Sequence, residues 1–146
     1  MQAKLAGFTL VELLVFLGLA AVAGTISAPA LFQFLSRGYF TNGVEVVVRT
    51  LRTAQAYSVS GRDDSSWGVH FEPGKLVLFK GTSYATRDPS FDAETALNSS
   101  LVIEGWQDVY FNKLRGLPSP NLNLKVKVSG REGDIKVKSE GRIERP

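Results

Sequence analysis

The 146-residue chain has no cysteine and a single histidine. Without cysteine there are no disulfide staples and no cysteine-ligated metal site, so the folded part must hold itself by its core. This leaves the compartment open. One histidine, His70, cannot supply the spaced His/Cys pairs of a metal centre, and no Gly-rich phosphate loop occurs. No nucleophile constellation can be assembled, so the chain reads as a non-enzyme with no cofactor and no metal. Charge is scarce in one place above all. From Phe8 to Leu35, 28 residues, Glu12 is the only ionisable side chain.

That run is long enough to cross a bilayer, for which about 20 apolar residues suffice. An acid at the centre of a membrane helix costs about 2.5–3.5 kcal/mol on insertion scales, less near its edge, so Glu12 needs a partner or a role. Three readings compete. A secretory signal peptide needs a short apolar core and a small-residue cleavage site; Ala20-Ala21-Val22-Ala23 offers small residues, but the run continues past them to Leu35. A plain anchor leaves Glu12 unexplained. Cleavage before the run, between Gly7 and Phe8, keeps the whole segment and exposes a new terminal amine for Glu12 to pair with, since a charge in an apolar medium is tolerated chiefly when paired.

The stretch Gly7-Phe8-Thr9-Leu10-Val11-Glu12-Leu13 resembles the processing motif of type IV pilins and type II secretion pseudopilins. The resemblance implies that a membrane peptidase cuts after Gly7 and methylates Phe8. It implies that Glu12, fifth from the cut, pairs with the amine of a neighbouring subunit and sets the register of a filament. Pro29 also falls where the family has a proline, and should bend the helix. Lys4 in the leader fits a cytoplasmic start. Gly18, Gly24 and Ser27 allow close helix approach, although membrane helices simply tolerate such residues. The organisation this implies is a leader at 1–7, a transmembrane and assembly helix at 8–36, an amphipathic continuation at 37–60 and a globular domain at 61–146. The expected location is the bacterial inner membrane, single-pass with the C-terminal domain outside the cytoplasm, and then a periplasmic pseudopilus or a cell-surface pilus. The expected partners are other pilin or pseudopilin subunits, the prepilin peptidase and the membrane.

With the anchor set aside, about 85–110 residues remain, enough for one small domain. The net charge of +3 is uneven: residues 112–146 hold nine Lys/Arg against four Asp/Glu, and residues 1–111 hold eight against ten. Lys125, Lys127, Arg131, Lys136, Lys138, Arg142 and Arg145 form a candidate polyanion-binding set, or else the solvated face of two strands.

Apolar residues return at helical spacing at Val44, Val47, Val48, Leu51, Ala54 and Tyr57, with Arg49, Arg52 and Gln55 on another face. Gly38 and Asn42-Gly43 weaken the helix between them, which predicts a break or softening there. After a polar loop at 61–66 the period becomes two. Trp67, Val69 and Phe71 lead through the Pro73-Gly74 turn to Leu76–Phe79, a hairpin. Residues 81–99 read as a long polar loop with a helical turn at 93–97. Ser100–Glu104 and Asp108–Asn112 read as short strands joined at Gly105-Trp106-Gln107. Leu122–Val128 and Ile135–Lys138 alternate around a turn at Gly130-Arg131-Glu132-Gly133, and a last short strand follows at 142–145. One helix followed only by strands is an α+β fold, a long N-terminal hydrophobic helix packed on a small antiparallel β domain. His70 reads as a strand histidine, Trp67 and Trp106 as core or sheet-face residues, and Asp63-Asp64 with Asp88, Asp92 and Glu94 as solvated loop acids rather than a Ca²⁺ site.

Leu51-Arg52-Thr53-Ala54-Gln55-Ala56, Ser60-Gly61 and Trp67-Gly68-Val69-His70-Phe71 look like the H-type minor pseudopilins. Some related minor pilins bind DNA through a C-terminal Gly-Arg-x-Arg element. Gly141-Arg142-Ile143-Glu144-Arg145 is close to it, with Glu144 in place of the second arginine. Filament subunit, DNA-binding minor pilin and processed anchor for an unrelated domain are thus the competing roles.

Overall fold

The computed structural model describes residues 7–146, apart from the side chains of 25–30. The leader through Ala6, with Lys4, and the side chain of Pro29 therefore lie outside the described residues. The chain divides into two units, 1–35 and 36–146.

Helix α1 spans Leu10–Val59. It runs without interruption through Gly38–Gly43, against the expected weak point. Gly43 is buried, and a Cβ there would sit 2.4 Å from Leu101 Cδ1. The glycine that weakens the helix locally is the seat of a core side chain, and packing outweighs propensity. In the second unit the helix buries Val44, Val47, Val48, Leu51 and Ala54, the stripe its spacing predicts. Two residues past its end the chain turns at Gly61, in the left-handed conformation at φ 64°, where a residue without Cβ is favoured. The amide of Leu114 caps the Ser58 carbonyl at 2.8 Å, and the buried Ser58 hydroxyl accepts from the Trp67 amide at 2.8 Å. The last helical turn is thereby fixed to the first strand.

Two antiparallel sheets share the core with this helix. The strands are β1 (Trp67–Glu72), β2 (Lys75–Lys80), β3 (Ala93–Ala96), β4 (Val102–Glu104), β5 (Val109–Phe111), β6 (Pro118–Ser119), β7 (Leu122–Val128), β8 (Arg131–Val137) and β9 (Ile143–Glu144). The five-stranded sheet runs β3-β2-β1-β5-β6 and the four-stranded sheet β4-β7-β8-β9. Val69, Phe71, Leu76, Phe111, Leu124 and Ile135 are among the buried side chains.

Three expectations are corrected. Residues 93–96 form an edge strand, not a helical turn, because a single turn is too short to nucleate alone, whereas the open side of β2 offers a ladder from Lys75↔Ala96 to Leu78↔Ala93. The stretch before it is also not shapeless: 3₁₀ turns occupy Tyr84–Thr86 and Pro89–Phe91, the latter capped by Asp88 accepting from the Ser90 amide at 3.0 Å. The short strands expected at 100–104 and 108–112 form as β4 and β5, in different sheets: β4 joins β7 and β5 joins β1, so the chain changes sheets around Gly105. Finally, the β7–β8 turn is Ser129-Gly130, both at positive φ, the requirement of a two-residue hairpin loop. Arg131, Glu132 and Gly133 already lie in β8, where a Cβ on Gly133 would strike Pro146 Cβ at 2.5 Å.

Candidate assembly helix and basic face

The first unit starts with an N-cap. The Thr9 hydroxyl accepts from the Glu12 amide at 3.2 Å, and the Thr9 carbonyl accepts from Leu13 at 3.1 Å. Thr9-Leu10-Val11-Glu12 has the spacing of a capping box. The Glu12 carboxylate thus occupies the first turn, where the helix dipole favours negative charge. Among the described residues it forms no ion pair. Gly7 and Phe8 precede the helix, and Phe8 is 84% exposed.

Every described residue from Gly7 to Gly24 is exposed. Leu10, Val11, Leu13, Leu14, Val15 and Phe16 succeed one another with only Glu12 between them, so no face of this stretch is polar. A helix apolar all round belongs in the interior of something larger. Among the described residues, no helix is long and apolar enough to cross a membrane. The run expected to do so includes 25–30, whose side chains lie outside the described residues, and the bend expected at Pro29 falls there too.

The seven C-terminal cations lie on or beside the four-stranded sheet. On β7 and β8, Leu122, Leu124, Val126, Ile135 and Val137 point inward, and Lys125 and Lys136 are exposed. The strands interleave the cations with acids. Lys127 Nζ donates to Glu104 at 2.8 Å, Lys138 meets Glu144 at 2.8 Å and Arg142 meets Glu144 at 3.1 Å. Arg145 meets Glu45 of the helix at 3.0 Å. In the ladder Lys125 stands opposite Asp134, and Lys136 opposite Glu144. Arg131 opens β8 opposite Val128. The Glu104 hydrogen bond raises the Lys127 pKa, and the Lys138 hydrogen bond lowers that of Glu144. The positive excess counted along the chain is thus offset in space by acids, two of which come from outside the basic segment.

Two polar arrangements escaped the sequence. Gln55, placed with the arginines by its spacing, is half-buried and donates from Nε2 to the carbonyls of Gly116 at 2.9 Å and Gly141 at 2.8 Å. It ties the helix to a loop of each sheet, 61 and 86 positions away. His70 donates from Nδ1 to Asp108 at 2.5 Å, and its ring stacks on Tyr84 at 3.6 Å. The Tyr84 hydroxyl donates to Glu72 at 3.0 Å, which holds the Glu72 carboxyl below its usual range. Burial, then this hydrogen bond, pushes the Tyr84 phenol up. Nothing local announces either group, because the partners are remote in sequence. Among the described residues no cluster of His, Asp and Glu is arranged to hold a metal. Trp67 is buried, but Trp106 is 48% exposed. It forms the wall of a crevice of about 280 Å³ with Phe71, Pro73, Leu97, Leu101 and Val102, so it is no core residue.

In the second unit, the C-terminal part of a long helix seated on two antiparallel sheets defines the architecture. Two solved structures share it, both of the minor pseudopilin EpsH from the type II secretion system of Vibrio cholerae. Each has a TM-score of 0.54; sequence identities are 10% and 11%, covering 73% and 74% of this chain and 95% and 93% of theirs. At that identity the likeness is one of fold. No protein-family model matches the chain, and no curated protein matches it.

Proposed function

We propose that this chain is a structural subunit, not an enzyme, of a type II secretion pseudopilus, in a minor position. The observation that carries the reading is the pairing of a pseudopilin-like fold with a leading helix that is apolar on all faces and bears one acid in its first turn. On this reading a prepilin peptidase cuts between Gly7 and Phe8 and Phe8 is methylated. The segment 8–36 holds the subunit in the inner membrane until it joins the filament among other pseudopilins. Burial against neighbouring helices then removes apolar side chains from contact with lipid or water. The Glu12 carboxylate gains the one kind of partner that makes a charge tolerable there, the terminal amine of the adjacent subunit. Head-to-tail contacts between such subunits generate an open helix.

Mass spectrometry of the mature polypeptide tests the processing step, with a methylated Phe8 expected as first residue. Glu12→Ala should leave membrane insertion intact and reduce crosslinking into filament ladders. A mature chain that begins elsewhere, or a Glu12→Ala subunit that crosslinks as the wild type does, refutes the proposal.

A further inference from the structure

Among the described residues, strand β3 pairs on one side, with β2. The Leu97 amide donates to the Gly74 carbonyl at 2.8 Å, and the register continues through Thr95↔Leu76 and Ala93↔Leu78. Since antiparallel pairs alternate, the backbone groups of Ala93 and Thr95 face β2 and those of Glu94 and Ala96 face outward. Natural edges are usually blunted by proline, a bulge or an unpaired lysine. Here Ala93, Thr95 and Ala96 are small, and the Glu94 side chain is drawn to Lys75 at 2.7 Å.

A groove of about 200 Å³ lies beside this edge, on the helix side. It is lined by Arg49, Thr50, Thr53 and Tyr57 of the helix, by Leu78 of β2, and by Ala93 and Thr95 of β3. Arg49 and Arg52, a turn apart, form no ion pair among the described residues. We propose that the β3 edge accepts an extended acidic segment of a partner protein by strand addition. The added backbone bonds to Glu94 and Ala96, alternate side chains enter the groove, and a carboxylate reaches Arg49. A second copy joined through the same edge would bring its own Arg49 rather than a carboxylate, like charge on like.

The test uses the full chain in detergent micelles and a capped synthetic peptide of alternating Thr, Val and Glu, read by fluorescence anisotropy. Binding is expected to weaken about tenfold or more with Glu94→Pro, which removes an outward amide that the β2 ladder does not use. Methylating alternate peptide amides should weaken it likewise, with no change to the protein. Arg49→Glu should weaken binding in about 0.05 M salt, with the difference shrinking at about 0.5 M, and a lysine version of the peptide should not bind. The proposal is overturned by any of three results: no binding at millimolar peptide, equal binding by the lysine or N-methylated peptide, or a wild-type dimer in sedimentation that Glu94→Pro dissolves.

Discussion

Replacing Gln55 with Glu preserves shape and removes both of its donors. In the native chain one amide nitrogen serves two carbonyls, those of Gly116 at 2.9 Å and Gly141 at 2.8 Å. Both glycines are buried, so water is poorly placed to substitute. A buried acceptor that loses its partner costs about 1–3 kcal/mol. Two such losses put Gln55→Glu at about 2–6 kcal/mol destabilised, before any repulsion between the carboxylate and the carbonyl oxygens. For a domain of roughly 100 residues, each kcal/mol lowers Tm by about 4 °C or somewhat more. A fall of about 8–24 °C is therefore expected in near-UV circular dichroism melts, which report the packing of Trp67. Hydrogen exchange should localise the loosening to the 112–117 and 138–142 loops. A Gln55→Glu protein that melts within a degree or two of wild type would mean that neither loop depends on the helix, and the clasp would have no energetic meaning.

Gly68→Ala should destabilise by about 1–3 kcal/mol, because the new Cβ would lie 2.4 Å from Phe79 Cζ and 2.8 Å from the Val109 carbonyl; a urea midpoint unchanged from wild type refutes this. Acid should also weaken the domain. The Tyr84 hydrogen bond lowers the Glu72 pKa from 4.5, and the Ser90 hydroxyl and amide lower that of Asp88 from 3.8. Groups whose folded pKa is depressed stabilise the fold above their unfolded values and lose that contribution as pH falls through the folded ones. Urea midpoints measured from pH 6 to pH 3 should fall at the acid end, and Tyr84→Phe should flatten the fall; an identical slope in the variant discounts the Glu72 contact.

The sequence made the buried stripe of α1 legible because helical periodicity and burial coincide there: Val44, Val47, Val48, Leu51 and Ala54 all reach the core. The β1–β2 and β7–β8 pairs were equally plain, since strict alternation and turn residues act locally. What stayed hidden depends on remote partners. Gly43 reads as a helix breaker until Leu101 is placed against it. Ala93–Ala96 has helix-tolerant composition and becomes a strand because β2 has an open side. The two short segments flanking Gly105 are adjacent in sequence and yet belong to different sheets, a choice made by β1 and β7. The basic run looked like a single charged surface because Glu45 and Glu104, which neutralise part of it, stand outside it in the chain.

Glu12 has one local reason to be where it is, and the proposed assembly adds a second with different demands. As the third residue of a helix capped by Thr9, it stabilises the start of α1 through the dipole, an effect of about 0.3–1 kcal/mol that any partner-free helix would enjoy. A filament pairing with a terminal amine needs the same charge for another purpose, in a medium where an unpaired carboxylate is costly. The local role alone does not account for the surrounding sequence. A solvated helix start gains from its acid without needing Leu10, Val11, Leu13 and Leu14 exposed beside it. Those side chains require cover, and any apolar cover raises the penalty on the lone charge within it. The cap explains how the helix begins at Leu10; on the proposed assembly, the all-round apolar surface is the reason that beginning would be met by a positive group. Glutamine at position 12 removes the charge from both roles, but its local cost is limited to the dipole effect of about 0.3–1 kcal/mol. It can still hold the capping-box geometry, as Gln does at this position in other helices, but it offers no charge to an amine. A helix that forms normally in a Glu12→Gln subunit, together with lost incorporation, would assign the acid to assembly rather than to the fold.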